Sequence, residues 1–213
     1  MKKMLAVLML MLSTSVMADA KNPQPGTDFT QTIQTIPTDN PAKIEVMEIF
    51  WYGCPHCYAF DPVLDEWVKK LPADVYFKRV PGIPRADWVP MAKAYYTLES
   101  LGIFEKLHTP LFEAIHKQKV LRPNDEAATV DWITKQSGMD RKKVEEAYNS
   151  FSINTKLNRA GQIFRASGAT GVPSLVVDGK YITSSTMAGG NQEALKVTDF
   201  IIDNVRKDRA AKK

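Results

Sequence analysis

The chain has 213 residues, is 44% hydrophobic and 24% charged, and carries a formal net charge of +4. That is enough chain for one compact domain with an insert and a sizeable core. So small a charge excludes the clustered basic face of a nucleic-acid binder, and its two cysteines lie too close together to tie distant parts of a fold.

Residues 1–18 read as a secretory signal peptide. Lys2 and Lys3 form a basic start, Met4–Leu12 an apolar run too short to span a bilayer, and small or polar residues follow. Cleavage is expected after Ala18, with Ala20 as the alternative. No cysteine lies near the site, which excludes a lipoprotein anchor. Removing the segment lowers the formal charge from +4 to +2. No later stretch has membrane-spanning length, so the mature protein is expected to be soluble and exported.

Ile44–Trp51 reads as a mostly buried strand, broken by Gly53. A helix is expected from about Cys54 to Lys70, with Phe60, Leu64, Trp67 and Leu71 on one face. Val75–Val80 reads as a second strand, closed by Pro81-Gly82-Ile83-Pro84. The middle of the chain is helical. Met91, Tyr95 and Leu98 keep helical spacing up to Gly102; Phe104, Leu107, Leu111 and Ile115 continue it, with Pro110 as a break or new first turn. Asn124 and Asp140 are the expected caps of two further helices. Ile153, Leu157, Ala160 and Phe164 form the stripe of a longer one, ended by Gly168. Leu175–Val177 and Lys180–Ile182 then read as a hairpin around the two-residue turn Asp178-Gly179. A final helix from Asn191 turns Leu195, Thr198, Ile202 and Val205 inward, and its basic end, Lys207 to Lys213, reads as frayed and solvated.

The chemistry centres on Cys54-Pro55-His56-Cys57 at the start of the first helix. A strand–helix–strand unit carrying C-x-x-C reads as a thioredoxin-like redox site. In an exported protein spare thiols would pair, so one C-x-x-C fits a dedicated, reversible disulfide. Unpaired N–H groups and partial positive charge at the helix N-terminus favour an exposed Cys54 thiolate. Cys57, one turn deeper, is the more shielded thiol. Pro55 suits a first helical position, where no N–H is needed, and the His56 imidazolium or N–H can sit near the Cys54 sulfur. Each of these stabilises the reduced form and makes the disulfide oxidising. A c-type haem would need His at position 58, which is Tyr; zinc would need two more ligands, and His108 and His116 are wrongly spaced for it. No metal and no cofactor are expected. His116 reads as a C-terminal cation on its helix dipole, and His108 as a polar-face residue.

Glu48 shares a strand face with Ile44, Val46 and Phe50, six residues before Cys54. The spacing leaves open whether it is a buried acid partnered by Arg79, able to move protons for a thiol, or an acid at a solvated sheet end. In Gly171-Val172-Pro173-Ser174, the rarity of cis X–Pro bonds favours an ordinary trans turn for Pro173.

Phe50-Trp51-Tyr52-Gly53-Cys54-Pro55-His56-Cys57-Tyr58, the Thr170–Pro173 loop and the helical middle together resemble the DsbA family, the periplasmic dithiol oxidases of Gram-negative bacteria, from about Asp28 to Val205. The resemblance implies an α/β, thioredoxin-like fold over 28–84 and 165–206 with an all-helical subdomain inserted at 85–164. It implies that Cys54 is the attacking and leaving sulfur, Cys57 its buried partner, Glu48 the family's buried acid, and Pro173 a cis-proline beside Val172, whose backbone would bind an extended substrate segment. One departure is the basic partner of the acid: Arg79 stands where the best-known members have Lys, and Arg does not deprotonate in this range, leaving proton traffic to Glu48 alone. The implied activity is donation of the Cys54–Cys57 disulfide to reduced, unfolded periplasmic proteins, with reoxidation by a DsbB-like membrane quinone reductase. The protein is expected to be a monomer, and the short stretch before the first buried strand leaves no room for the N-terminal dimerisation domain of a periplasmic isomerase. The rivals are a disulfide isomerase or reductase, and a non-catalytic peptide or metal chaperone.

Overall fold

The structure, a computed structural model, describes residues 22–211, so the signal peptide expected over 1–18 lies outside the described residues. Its centre is β2 (Ile44–Phe50), all seven residues of which are buried. Alternation along this strand feeds two cores. Ile44 and Val46 pack with Phe60, Leu64, Leu175 and Leu195 on one side, and Met47 and Ile49 join Val80, Met91 and Val176 on the other. A strand covered on both faces reads as a continuous apolar run, as this one does.

The five-stranded sheet has the order β1-β5-β4-β2-β3. β3 (Val75–Pro81) runs parallel to β2, joined to it by the crossover helix α1 (Pro55–Val68). β4 (Ser174–Val177) and β5 (Tyr181–Ser184) form the antiparallel hairpin, and β1 (Thr30–Gln31), too short to show in the sequence, closes the edge. Between β3 and β4 come five helices: α2 (Val89–Ser100), α3 (Phe104–His116), α4 (Glu126–Ser137), α5 (Arg141–Tyr148) and α6 (Phe151–Ser167). A four-residue helix, α7 (Ser185–Ala188), precedes α8 (Asn191–Ala210), which covers the face shared with α1. Among the described residues no helix is long and apolar enough to cross a membrane.

Several local expectations need correction. The cap of α4 is Asp125, whose carboxylate accepts from Ala128 N–H, rather than Asn124. Pro110 does not break α3; the missing N–H costs one ladder bond, and the carbonyl it would have met belongs to Lys106 on the exposed side. The end of α8 is not wholly solvated, because Arg209 donates to the carboxylate of buried Asp178 and to the Pro41 and Lys43 carbonyls. Asp178 and Gly179 do centre the hairpin turn, at φ 54° and 64°, but Val177 pairs with Tyr181, so Lys180 adds a third residue to the loop.

Gly179 meets two demands at once. Its left-handed backbone favours glycine, and a Cβ there would lie 1.9 Å from the Ile36 carbonyl oxygen. Gly179→Ala should therefore destabilise the fold by more than about 2 kcal/mol, read as a lowered urea midpoint; an unchanged midpoint would contradict this packing.

Candidate functional site

Cys54 is the N-cap of α1, with extended backbone, and Pro55 is the first helical residue. The sequence leads here directly: β2 ends, Trp51-Tyr52-Gly53 turns the chain, and Cys54 N–H closes the turn on the Trp51 carbonyl at 3.0 Å. Gly53 is required because Trp51 folds back over it; a Cβ would meet the indole at 2.3 Å. That indole stacks on Trp88 at 4.1 Å and 9°, roofing the loop.

The two cysteines are unbridged and differ sharply in environment. The Cys54 thiol is pulled down to about 6, chiefly by a hydrogen bond from the Cys57 thiol, with backbone N–H groups of Cys57 and His56 and the His56 charge adding to it against a partial burial penalty. Cys57, with no exposed surface, is pushed well up, first by burial, then by its role as donor to Cys54 and by the negative charge of Glu48. The expected exposure of Cys54 is corrected: only 9% of it is accessible. The returning loop covers it, and the Cys54 thiol lies 3.4 Å from the Val172 carbonyl oxygen. The Val172–Pro173 bond is cis, as the family resemblance implied and the frequency of such bonds did not. His56 is exposed at the mouth, where it joins Val172, Pro173 and Met187 in lining a groove of about 400 Å³.

Beneath the thiols, Glu48 is 2% exposed and pairs with Arg79, its register partner on β3, Nε to Oε2 at 3.0 Å. This settles the alternative left open by the spacing: the acid is buried and partnered. Arg79 is not Glu48's alone. Its Nη2 also donates to Asp61 at 3.3 Å and to Asp65, while its guanidinium lies over the Phe77 ring at 5.1 Å. One cation thus serves three carboxylates. Burial pushes the Glu48 carboxyl up to about 7, against the pull of Arg79 and with the Asp61 and Asp65 charges adding to the rise.

The sequence reading missed Asp61, Asp65, His108 and Tyr52. A signal for the acids was present: they follow Cys57 at four and eight residues, the same face of α1. His108 is no surface residue. It is 4% exposed, with Nδ1 at 2.7 Å from the Tyr52 hydroxyl and Nε2 at 2.9 Å from Asp61 Oδ1. His116 does lie in the last turn of α3, where its Nε2 donates to the Tyr52 carbonyl at 2.7 Å and its ring stacks on Tyr58. Two histidines from one helix therefore hold Tyr52 at both its hydroxyl and its carbonyl. Nothing in local periodicity reveals this, because both contacts join residues more than fifty positions apart.

Residues 75–201 match the family model described as the DSBA-like thioredoxin domain. Over its whole length the chain is 39% identical to the thiol:disulfide interchange protein DsbA of Pseudomonas aeruginosa, covering all of both sequences. It is 40% identical to the protein of that name from Burkholderia cepacia, over 97% of this chain and 98% of the relative. Its fold superposes on the crystal structure of Pseudomonas aeruginosa DsbA with a TM-score of 0.79 and 40% identity, covering 89% of this chain and 97% of that one. With its thioredoxin-like sheet, inserted helices and an acidic thiol capping α1, the chain belongs to the DsbA family of thiol:disulfide oxidoreductases.

Proposed function

We propose that this member of the family oxidises reduced, unfolded proteins in the periplasm through Cys54 and Cys57. The carrying observation is the asymmetry of the two thiols, one pulled down to about 6 and the other pushed up. A substrate thiolate attacks Cys54 Sγ; the Cys54–Cys57 bond breaks and Cys57 leaves as a thiolate. The raised Cys57 pKa means that this sulfur takes up a proton, and Glu48, poised near neutrality, is the group that supplies it and later regains one from water. The substrate's second thiolate then attacks its own sulfur in the mixed disulfide. That forms the substrate disulfide and expels Cys54 as a thiolate, a good leaving group because it is acidic. Two substrate thiols give up two electrons and two protons; Cys57 keeps one proton and the other goes to solvent.

Around this centre, His56 and Pro55 shape the start of α1, and the Val172 backbone beside Pro173 binds an extended substrate segment along the groove. The thioredoxin-like part, 28–84 and 165–206, carries the thiols, and the helical insert, 85–164, braces them from behind. Reoxidation falls to a DsbB-like membrane quinone reductase, and the working form is a monomer.

Cys54→Ser should abolish catalysed oxidation of a reduced, unfolded substrate, whereas Cys57→Ser should accumulate a mixed disulfide visible on non-reducing gels. Full turnover by either variant would overturn the mechanism.

A thiolate titration at 240 nm should give a Cys54 midpoint near 6. Between about 6 and the ordinary thiol value of about 8.5 the unfolded chain binds the extra proton, so stability from this group rises with pH over that window and is lost as pH falls through 6. Urea unfolding at pH 8 and pH 5 should show the reduced form losing its advantage over the oxidised form at the lower pH; an advantage independent of pH would contradict the assignment.

A further inference from the structure

His108 is fully enclosed, contributed by the helical insert, and has no part in the exchange chemistry above. Its two ring nitrogens have different partners. Asp61 is held below the ordinary carboxylate range: burial opposes ionisation, but His108, by its hydrogen bond and then its charge, and the Arg79 charge outweigh it, with Thr109 adding a smaller pull. An ionised Asp61 only accepts, so His108 Nε2 carries the hydrogen. Burial pulls the imidazole below its ordinary range, against the hydrogen bond and charge of Asp61; in the neutral ring Nδ1 is then bare and accepts from the Tyr52 hydroxyl, 2.7 Å away and itself kept a phenol by burial. Tyr52 thereby fixes the tautomer, and the tautomer aims an N–H at Asp61.

The consequence concerns the cluster around Arg79. Glu48 and Asp61 share one guanidinium in a dry site, with Asp65 reaching the same guanidinium from its solvent edge, and two buried like charges so placed do not ionise together freely. Their donor sets rank them. Asp61 has Arg79 and His108; Asp65 has Arg79 and solvent, with 38% of its side chain accessible; Glu48 has Arg79 alone and is 2% exposed. Other titratable groups facing the cluster are Cys57 from α1, Tyr52 from the loop before it, Tyr95 and Glu99 from α2, whose hydroxyl and carboxylate bond each other at 2.7 Å, and, at the solvent edge beside Asp65, Lys69 and Glu105. None of these donates to Glu48 in the structure's hydrogen bonds.

We propose that His108 is a positioning residue for the catalytic proton: by donating Nε2–H to Asp61 it keeps that carboxylate ionised on Arg79, so that Glu48 is the member of the cluster that holds the proton beneath Cys57. This rests on the proposed role of Glu48 as proton donor to the leaving Cys57 thiolate. An imidazole on α3 thus decides which of two buried acids serves a thiol on α1.

The test is an NMR titration of the oxidised, unmodified protein between pH 4.5 and 9, following the ring nitrogens of His108 and the carboxyl carbons of Glu48, Asp61 and Asp65, with Glu48→Gln to assign the first. The expected result is a His108 that is neutral at pH 7 and above with hydrogen on Nε2, Asp61 ionised throughout, and a carboxyl midpoint near 7 belonging to Glu48. An imidazole still protonated at pH 7, a neutral ring with hydrogen on Nδ1, or a midpoint near 7 on Asp61 overturns the proposal. In His108→Leu the Glu48 midpoint should fall by about one pH unit, while His108→Gln, whose amide both accepts and donates, should restore it. A purely structural histidine would lower the thermal midpoint in His108→Leu and leave the Glu48 titration in place, which also refutes it. If the titrations come out as expected but the pH profile of disulfide exchange does not move with Glu48 in His108→Leu, then His108 sets the proton as proposed and the reading of Glu48 as donor fails instead.

Discussion

A negative charge on one sulfur is the constraint around which this fold is arranged. Thiol–disulfide exchange runs toward whichever side holds the more stable thiolate, so a disulfide donor must make its own reduced form comfortable. The chain does so with the first turn of α1: Cys54 caps the helix, Pro55 occupies a position where no N–H is needed, and the N–H groups of His56 and Cys57 turn to the sulfur. The Cys57 thiol completes the shell. For that thiol to remain a donor it has to stay protonated, and its burial on the inner face of α1 together with the charge of Glu48 sees to that. The acidity of one cysteine and the reluctance of the other are a single arrangement.

The buried cluster behind the thiols follows from the same demand. Taking one guanidinium and two carboxylates into the interface between the sheet and α1, with a third carboxylate at its edge, is a poor way to stabilise a fold, since apolar packing of equal volume often does as well or better. The use we propose for it is chemical: burial raises the Glu48 carboxyl to about 7 where its charge acts on Cys57. The raised Glu48 pKa works against the fold. Between the ordinary carboxylate range and about 7 the native state binds the extra proton, so this group costs stability as pH rises through that window. The helical insert takes part through α3, whose His108 and His116 grip Tyr52 from opposite ends and so fix the loop that presents Cys54.

How much of this was legible in the sequence depended on range. Local signals read well. The apolar run Ile44–Phe50 stands as β2, the Cys-Pro-His-Cys segment opens α1, and Gly138 and Gly168 end helices in the left-handed conformation. The Asp178-Gly179 turn is where its residue types put it, though loop length escaped by one residue. Elements of two and four residues, β1 and α7, carry too little pattern to be seen. What the sequence hid was what faces what. Periodicity tells that His108 lies on a helix, and nothing in it says that Tyr52 and Asp61 meet that face. Likewise the depth of Cys54 could not be read, because its cover is the Val172 carbonyl, more than a hundred residues away.

The measurement that tests the central claim most directly is the equilibrium reduction potential of the Cys54–Cys57 pair in glutathione buffers at neutral pH. The DsbA family is itself the reference case for a strongly oxidising dithiol, at about −120 mV, with thioredoxin at about −270 mV. A potential close to the first would agree with a reduced form stabilised by the Cys54 thiolate. A potential close to the second would mean that the thiolate is not the more stable state, and the pair would run as a reductant.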